Sequence, residues 1–183
     1  RDWRRNPEVE IVPSHGSMRF ELLPAPGDAS PTDLLAWTTT PWTLPSNLAL
    51  AVGPEIDYGV WELAGRRVIL GEATFAKLES ELAGAQKVGS VKGRELAGRR
   101  YRPLFPFFES TPGAFRVLAA DFVDTVEGTG VVHLAPGFGE DDMDVCQAAG
   151  IPVVCPVDDA GCFTAEVPPW AGQMVFEANR GII

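Results

Sequence analysis

The stretch Trp37-Thr38-Thr39-Thr40-Pro41-Trp42-Thr43-Leu44-Pro45-Ser46-Asn47-Leu48-Ala49-Leu50 decides how this chain is read. Leu34, Leu35 and Ala36 lead into a run of threonines that favours an extended strand, because a β-branched side chain loses little freedom on a pleated surface. Pro41 and Pro45 have no amide hydrogen for a sheet ladder, so residues 41–46 are expected to leave the sheet as a stiff, pre-bent loop. Leu48 to Val52 then resumes apolar character as a second strand. Alternation along the first strand sets Thr38 and Thr40 on one face and Thr39 on the other. Three hydroxyls, the Trp42 indole and the Asn47 amide thus gather at one bend. Spacing alone leaves a plainer reading open, a sheet edge closed by proline with Trp42 as a buried anchor.

Working outward, Val9, Ile11, Met18, Phe20 and Leu22 suggest two strands about a turn from Pro13 to Gly16. Pro24 to Pro31 reads as a loop. Tyr58–Leu63 and Arg67–Leu70 form a hairpin across Ala64-Gly65, and Glu72 to Ala83 carries helical spacing at Phe75, Leu78 and Leu82. Residues 85–114 are dense in Gly and Pro, which suits small strands in a closed or strongly curved sheet, and Phe115–Ala120 is another strand. With no regular βαβ alternation, no repeat and no linker, the chain reads as one α+β domain over residues 1–183, a barrel-like curved β core with a few short helices.

At 183 residues, 45% hydrophobic and 22% charged, the chain has the composition of a globular protein that buries its own core. No apolar run is long enough to span a bilayer, and the opening Arg1-Asp2-Trp3-Arg4-Arg5 lacks a signal-peptide core, so a cytoplasmic location without membrane contact is expected. A net charge of −10 argues against a free-standing nucleic-acid binder. Lys87, Lys92, Arg94, Arg99, Arg100 and Arg102 are opposed within their span only by Glu95, and read either as a patch facing a polyanion or as a solvated face. Cys146, Cys155 and Cys162 include no Cys-x-x-Cys pair and read as buried small apolar side chains; with only His15 and His133 besides, no zinc site is expected.

The second chemical stretch is GTGVVHLAPGFGEDD at 128–142. Val131–Leu134 is a strand that sets His133 on the face of Val131, a glycine-rich turn follows, and Glu140–Ala149 is a short helix. Acidic residues in a first helical turn suit the helix dipole, which by itself accounts for Asp141 and Asp142. A metal hydrolase built on Asp141, Asp142 and His133 is an alternative, although no third acidic ligand is evident.

Together, WTTTPWTLPSNLAL and GTGVVHLAPGFGEDD resemble the threonine-rich and glycine-rich motifs of the editing domain of isoleucyl-tRNA synthetase, in the order that family has them. Sister valyl and leucyl domains usually have Arg after the threonines, where this chain has Thr40-Pro41-Trp42; Phe138 stands where many relatives have a second His, and Met143 where an aromatic is frequent. There is no HIGH-type or KMSKS-type signature, so the chain resembles the inserted editing module alone, excised from its synthetase. The resemblance implies hydrolytic proofreading of valyl-tRNA(Ile). A synthetic site choosing isoleucine over valine gains about 1 to 3 kcal/mol from one methylene, a magnitude for which isoleucyl-tRNA synthetase is itself the standard example, and a second, smaller pocket must remove the errors.

The resemblance also assigns roles. Thr40, His133 and Asp142 would be catalytic: Asp142 holding the α-ammonium, His133 walling the side-chain pocket against isoleucine, and Thr40 or a ribose hydroxyl orienting water. Thr38, Thr39, Trp42 and Asn47 would join them in binding substrate. No metal and no cofactor are implied. The partners would be the 3′ end of aminoacylated tRNA(Ile), its valine moiety and the remainder of the parent synthetase, with the domain a monomer. A non-catalytic module that binds an amino-acid-like ligand or a partner domain is the runner-up.

Overall fold

A computed structural model of the chain describes residues 11–12 and 17–183. In chain order its strands are β1 (Ile11–Val12), β2 (Ser17–Glu21), β3 (Thr32–Trp37), β4 (Ala49–Val52), β5 (Asp57–Leu63), β6 (Arg66–Gly71), β7 (Gln86–Lys92), β8 (Arg116–Ala119) and β9 (Val131–Leu134). The helices are short: α1 (Gly93–Leu96), α2 (Glu140–Ala148), α3 (Val175–Ile182), and 3-10 turns at Pro41–Ser46, Glu72–Lys77 and Pro168–Trp170.

The sheet forks at β3. Asp33 to Trp37 pair antiparallel with β2, while on the opposite side Thr32–Leu34 pair in parallel with β6 and Trp37 pairs with Val132 of β9. From β9 the ladder continues through β4 to β8. Residues 99–102 then close a circuit, because Val117 donates to the Arg99 carbonyl at 2.8 Å and Tyr101 to that of Phe115 at 3.1 Å, while Arg102 donates to Glu21 at 2.9 Å and Leu23 to Arg100 at 2.8 Å. The result is a curled barrel, with β6, β5 and β7 splayed from it as a wing. This is the barrel-like α+β core expected from the turn-dense middle of the chain.

The fork explains why β3 reads Thr-Asp-Leu-Leu-Ala-Trp, a nearly continuous apolar run: both of its faces are covered. Leu34 and Ala36 enter the barrel core with Phe20, Leu48, Leu50, Val117 and Leu134. Leu35 turns the other way, to a smaller core with Trp61, Val68, Leu70, Leu78 and Leu82. Each such leucine contributes about 1.5–3 kcal/mol through its removal from water. Asp33 is buried in the same strand and is held by the fork of Arg66, whose Nη2 lies 2.6 Å from Oδ1 and Nε 3.1 Å from Oδ2.

The hairpin at Ala64-Gly65 forms as expected, with φ of 52° and 80° at the two turn residues, the left-handed pair that matches strand twist. Ile11 pairs with Met18 antiparallel; Val9 and the turn from Pro13 to Gly16 lie outside the described residues.

Several expectations change. The first strand stops at Trp37, short of the threonines, because Thr38 turns its hydroxyl back to accept the Thr40 amide at 3.1 Å. Residues 41–46 are a 3-10 helix, since Pro41 presets the first turn and Thr43 and Asn47 donate three residues back, to Thr40 and Leu44, at 3.0 Å each. Residues 72–83 form a 3-10 turn and further turns instead of one α-helix, with the Thr74 hydroxyl donating locally to Gly71 at 2.8 Å and competing with helical pairing. Only Cys146 of the three cysteines is buried; Cys155 is exposed and Cys162 half-buried, as both lie in extended and turn segments after α2.

The basic span carries no concentrated positive patch, because other elements supply acids that the local sequence does not. Lys87 meets Glu72, Lys92 meets Asp57 at 2.9 Å, Arg94 meets Glu55 and Arg99 meets Asp28 at 2.8 Å each, and Arg102 meets Glu21 at 3.3 Å. Among the described residues no helix is long and apolar enough to cross a membrane.

Candidate active site

Four segments converge at the barrel end where β3 and β9 finish. Trp37 and Thr38–Thr40 leave β3, Thr43 rises from the 3-10 turn, Gly128–His133 and Ala135 run along β9, and Phe138 and Asp142 flank the start of α2. They enclose a cavity of about 390 Å³, completed by Phe122, Asp124 and Glu127. The lining holds three carboxylates and neither lysine nor arginine, so a cationic group is favoured inside it and a phosphate is not.

Thr38 and Thr40 share one side, as alternation suggested, although by a turn: their hydroxyl oxygens lie 3.4 Å apart and Thr40 Oγ1 lies 3.4 Å from Thr43 Oγ1. Asp142 stands in the first turn of α2, and its Oδ2 accepts the Ala135 amide at 2.9 Å. Burial pushes its carboxyl above the usual range, with the Asp141 charge adding to the effect against the opposing Ala135 hydrogen bond. Gly139 precedes it because a Cβ there would stand 3.0 Å from both Asp142 Cγ and Oδ1.

His133 is buried and held at both nitrogens. Asn47 Nδ2 donates to Nδ1 at 2.9 Å, and Nε2 lies 2.7 Å from the Thr43 hydroxyl, which in turn donates to the Thr40 carbonyl at 2.8 Å. Burial lowers its pKa from 6.5 to about 4, so the ring is neutral at physiological pH. With no free nitrogen it lines the cavity without a vacant position to take a proton from water.

Of the residues singled out in the sequence, Thr38, Thr39, Thr40, His133 and Asp142 come together around the cavity. Trp42 and Asn47 stand one layer behind it. Trp42 packs edge-on against Phe138 at 4.9 Å, and Asn47 is buried against His133. Among the described residues, no three of His, Cys, Asp and Glu are grouped to hold a metal ion.

No family model matches the chain. Its sequence is 52% identical over 152 residues to isoleucine–tRNA ligase of Rickettsia canadensis (strain McKiel), covering 82% of this chain and 14% of that one. It is 48% identical over 180 residues to the ligase of Rickettsia akari (strain Hartford), covering 96% and 16%. With the Corynebacterium diphtheriae ligase it shares 51% over 158 residues, covering 81% and 15%. The chain belongs to the isoleucine–tRNA ligase family. It spans roughly one seventh of the length of these relatives. Its fold is that of an editing domain: the crystal structure of GlLeuRS-CP1 superposes with a TM-score of 0.70 at 17% identity, covering 91% of this chain and 92% of that one. The P. falciparum cytosolic leucyl-tRNA synthetase editing domain, with insertions 1 and 3 deleted, gives 0.59 at 10% identity, covering 84% and 75%.

In this chain the sequence reading named Phe138 only as a departure from the family pattern, and it missed Thr43 and the rim residues Phe122, Asp124 and Glu127. Thr43 carried a signal, since a hydroxyl three residues after Thr40 falls on the same side of a 3-10 turn. The rim carried none, because residues 122–127 form no regular element and reach the site only through the tertiary path.

Proposed function

We propose that this chain is the editing module of an isoleucine–tRNA ligase and hydrolyses the ester of valyl-tRNA(Ile), excluding isoleucine by the size of the cavity. The observation that carries this reading is the convergence of Thr38–Thr40, His133 and Asp142 on one acidic cavity.

In this reading the Asp142 carboxylate takes the valine α-ammonium and thereby orients the ester. The His133 ring limits the space for the side chain. Thr38, Thr39 and Thr40 bond the ribose, the carbonyl and the attacking water. Water adds to the ester carbonyl, the tetrahedral intermediate collapses, and the ribose oxygen leaves with the proton that the water gives up. Because both nitrogens of His133 are engaged, the proton passes to the ribose or through a threonine hydroxyl such as Thr40. No cofactor enters. The tRNA phosphates stay at the mouth, outside the carboxylate lining, and the rest of the ligase presents the 3′ end to a monomeric module in the cytoplasm.

A metal-dependent hydrolysis on Asp141, Asp142 and His133 finds no support in the donor set, since His133 has no free nitrogen. The test is deacylation of valyl-tRNA(Ile) and isoleucyl-tRNA(Ile) by the ligase carrying this segment. Valyl-tRNA should be cleaved and isoleucyl-tRNA spared, and Asp142→Ala should abolish the cleavage with the fold intact. Binding of a valyl-adenosine analogue without any hydrolysis would instead make the segment a non-catalytic module.

A further inference from the structure

The hydrogen bonds behind the cavity run in a single direction. The Ala49 carbonyl can only accept and draws Asn47 Nδ2 to 2.9 Å, the Tyr101 hydroxyl engages the opposite end of the same amide, and the second Nδ2 hydrogen is aimed at His133 Nδ1 at 2.9 Å. That makes Nδ1 the acceptor and places the ring proton on Nε2, 2.7 Å from Thr43 Oγ1. The Thr43 proton goes on to the Thr40 carbonyl at 2.8 Å. At the other end, the Tyr101 hydroxyl donates to Asn47 Oδ1 at 2.6 Å. Tyr101, Asn47, Thr43 and His133 are 2%, 4%, 5% and 8% exposed, so bulk water cannot readily replace any of these partners. Reversing one member would set donor against donor or acceptor against acceptor.

We propose that Tyr101, Asn47 and Thr43 form a directional clamp that holds His133 in one tautomer and one orientation, which makes the buried Tyr101 hydroxyl a positioning residue for the side-chain filter. Tyr101 does not line the cavity; it acts through Asn47. Its own place is set by the barrel closure, where its amide donates to Phe115 at 3.1 Å and its ring packs edge-on against Phe20 at 5.3 Å. The seam that closes the barrel therefore also orients the wall of the site. With both nitrogens committed to protein, the imidazole offers the cavity only carbon and its ring faces, which suits contact with an aliphatic side chain. The consequence for selectivity rests on the editing reading; the clamp itself does not.

Two readouts separate them. The chain has only two histidines, so ¹⁵N-detected ring shifts of the 183-residue chain, with His15→Gln for assignment, report the His133 tautomer directly. The unsubstituted chain should show Nε2 protonated and Nδ1 bare. Tyr101→Phe, which keeps the ring and removes one hydroxyl, should leave the backbone spectrum dispersed and move the His133 nitrogens towards a mixture of tautomers. In the ligase, the same substitution should lower the preference for valyl- over isoleucyl-tRNA by roughly ten- to a hundredfold, the cost of misplacing a positioning group.

Unchanged nitrogen shifts in Tyr101→Phe would overturn the clamp. A changed tautomer with unchanged preference would overturn the positioning role. Should Tyr101→Phe fail to fold, Asn47→Asp decides: a carboxylate in place of the amide can only accept and must draw the proton to Nδ1, so retention of the Nε2 tautomer would refute the proposal. A ligase that cleaves neither ester fails the editing reading while the shifts still test the clamp.

Discussion

Asp142 Oδ2 accepts the backbone amide of Ala135 at 2.9 Å, tying the first turn of α2 to the end of β9 only two residues beyond His133. One hydrogen bond thus sets the separation between the carboxylate that would anchor an ammonium and the ring that would wall its side chain.

Asp142→Asn keeps an acceptor for Ala135 and removes the charge. The deacylation kcat/KM should fall by about 10- to 100-fold, from the loss of roughly 1.5–3 kcal/mol in a charge-assisted hydrogen bond. Stability should respond in the opposite sense. Burial raises the Asp142 carboxyl above its usual 3.8, so its contribution to stability is full below that value and is lost as pH rises through the raised one. The variant should gain in Tm relative to the unsubstituted chain as pH moves from acid to neutral, and a constant difference across that range would count against burial as the cause.

Gly139→Ala adds a methyl 3.0 Å from the Asp142 carboxylate. Because Ala135 holds that carboxylate, the expected yield is in the side chain's aim. Activity should drop by about tenfold while urea unfolding changes little; a large loss of stability with the activity of the surviving folded fraction unchanged would show that the helix start moved instead.

Acidification should test His133. Its folded pKa of about 4 lies below the ordinary 6.5, so the stability it contributes is present above 6.5 and is lost as pH falls towards 4. The full effect is on the order of 3 kcal/mol. Urea midpoints measured from pH 7 to pH 4 should fall more steeply for the unsubstituted chain than for His133→Asn, and parallel curves would mean that the ring takes up its proton while folded.

Thr43→Val preserves shape and deletes the acceptor of the buried His133 Nε2 hydrogen. An unsatisfied buried donor costs about 1–3 kcal/mol, readable as a lower urea midpoint at unchanged slope. No loss would place another acceptor beside Nε2.

The threonine run and the glycine-rich turn could be recognised from local pattern, and so could the hairpin at Ala64-Gly65. These features depend on residues within a few positions of one another. The elements that went astray did so where a distant or competing partner intervened. Thr38 and Thr74 spent their hydroxyls on nearby backbone groups and cut short a strand and a helix. The basic run from Lys87 to Arg102 looked unopposed because Glu21, Asp28, Glu55, Asp57 and Glu72 lie outside it in sequence and beside it in space.

By itself, then, the sequence determined which reactive side chains are on offer and the local shapes that hold them: hydroxyls at a proline-stiffened bend, an imidazole late in a short strand, a carboxylate in a first helical turn. Tertiary structure alone decided what the imidazole can do. Asn47 and Thr43 reach His133 from one part of the chain, Tyr101 holds Asn47 from another, and burial strips the ring of water. The side chain that the family resemblance cast as a wall is neutral and bonded at both nitrogens, because protonation state and hydrogen-bond direction depend on which groups surround the ring and not on its neighbours along the chain.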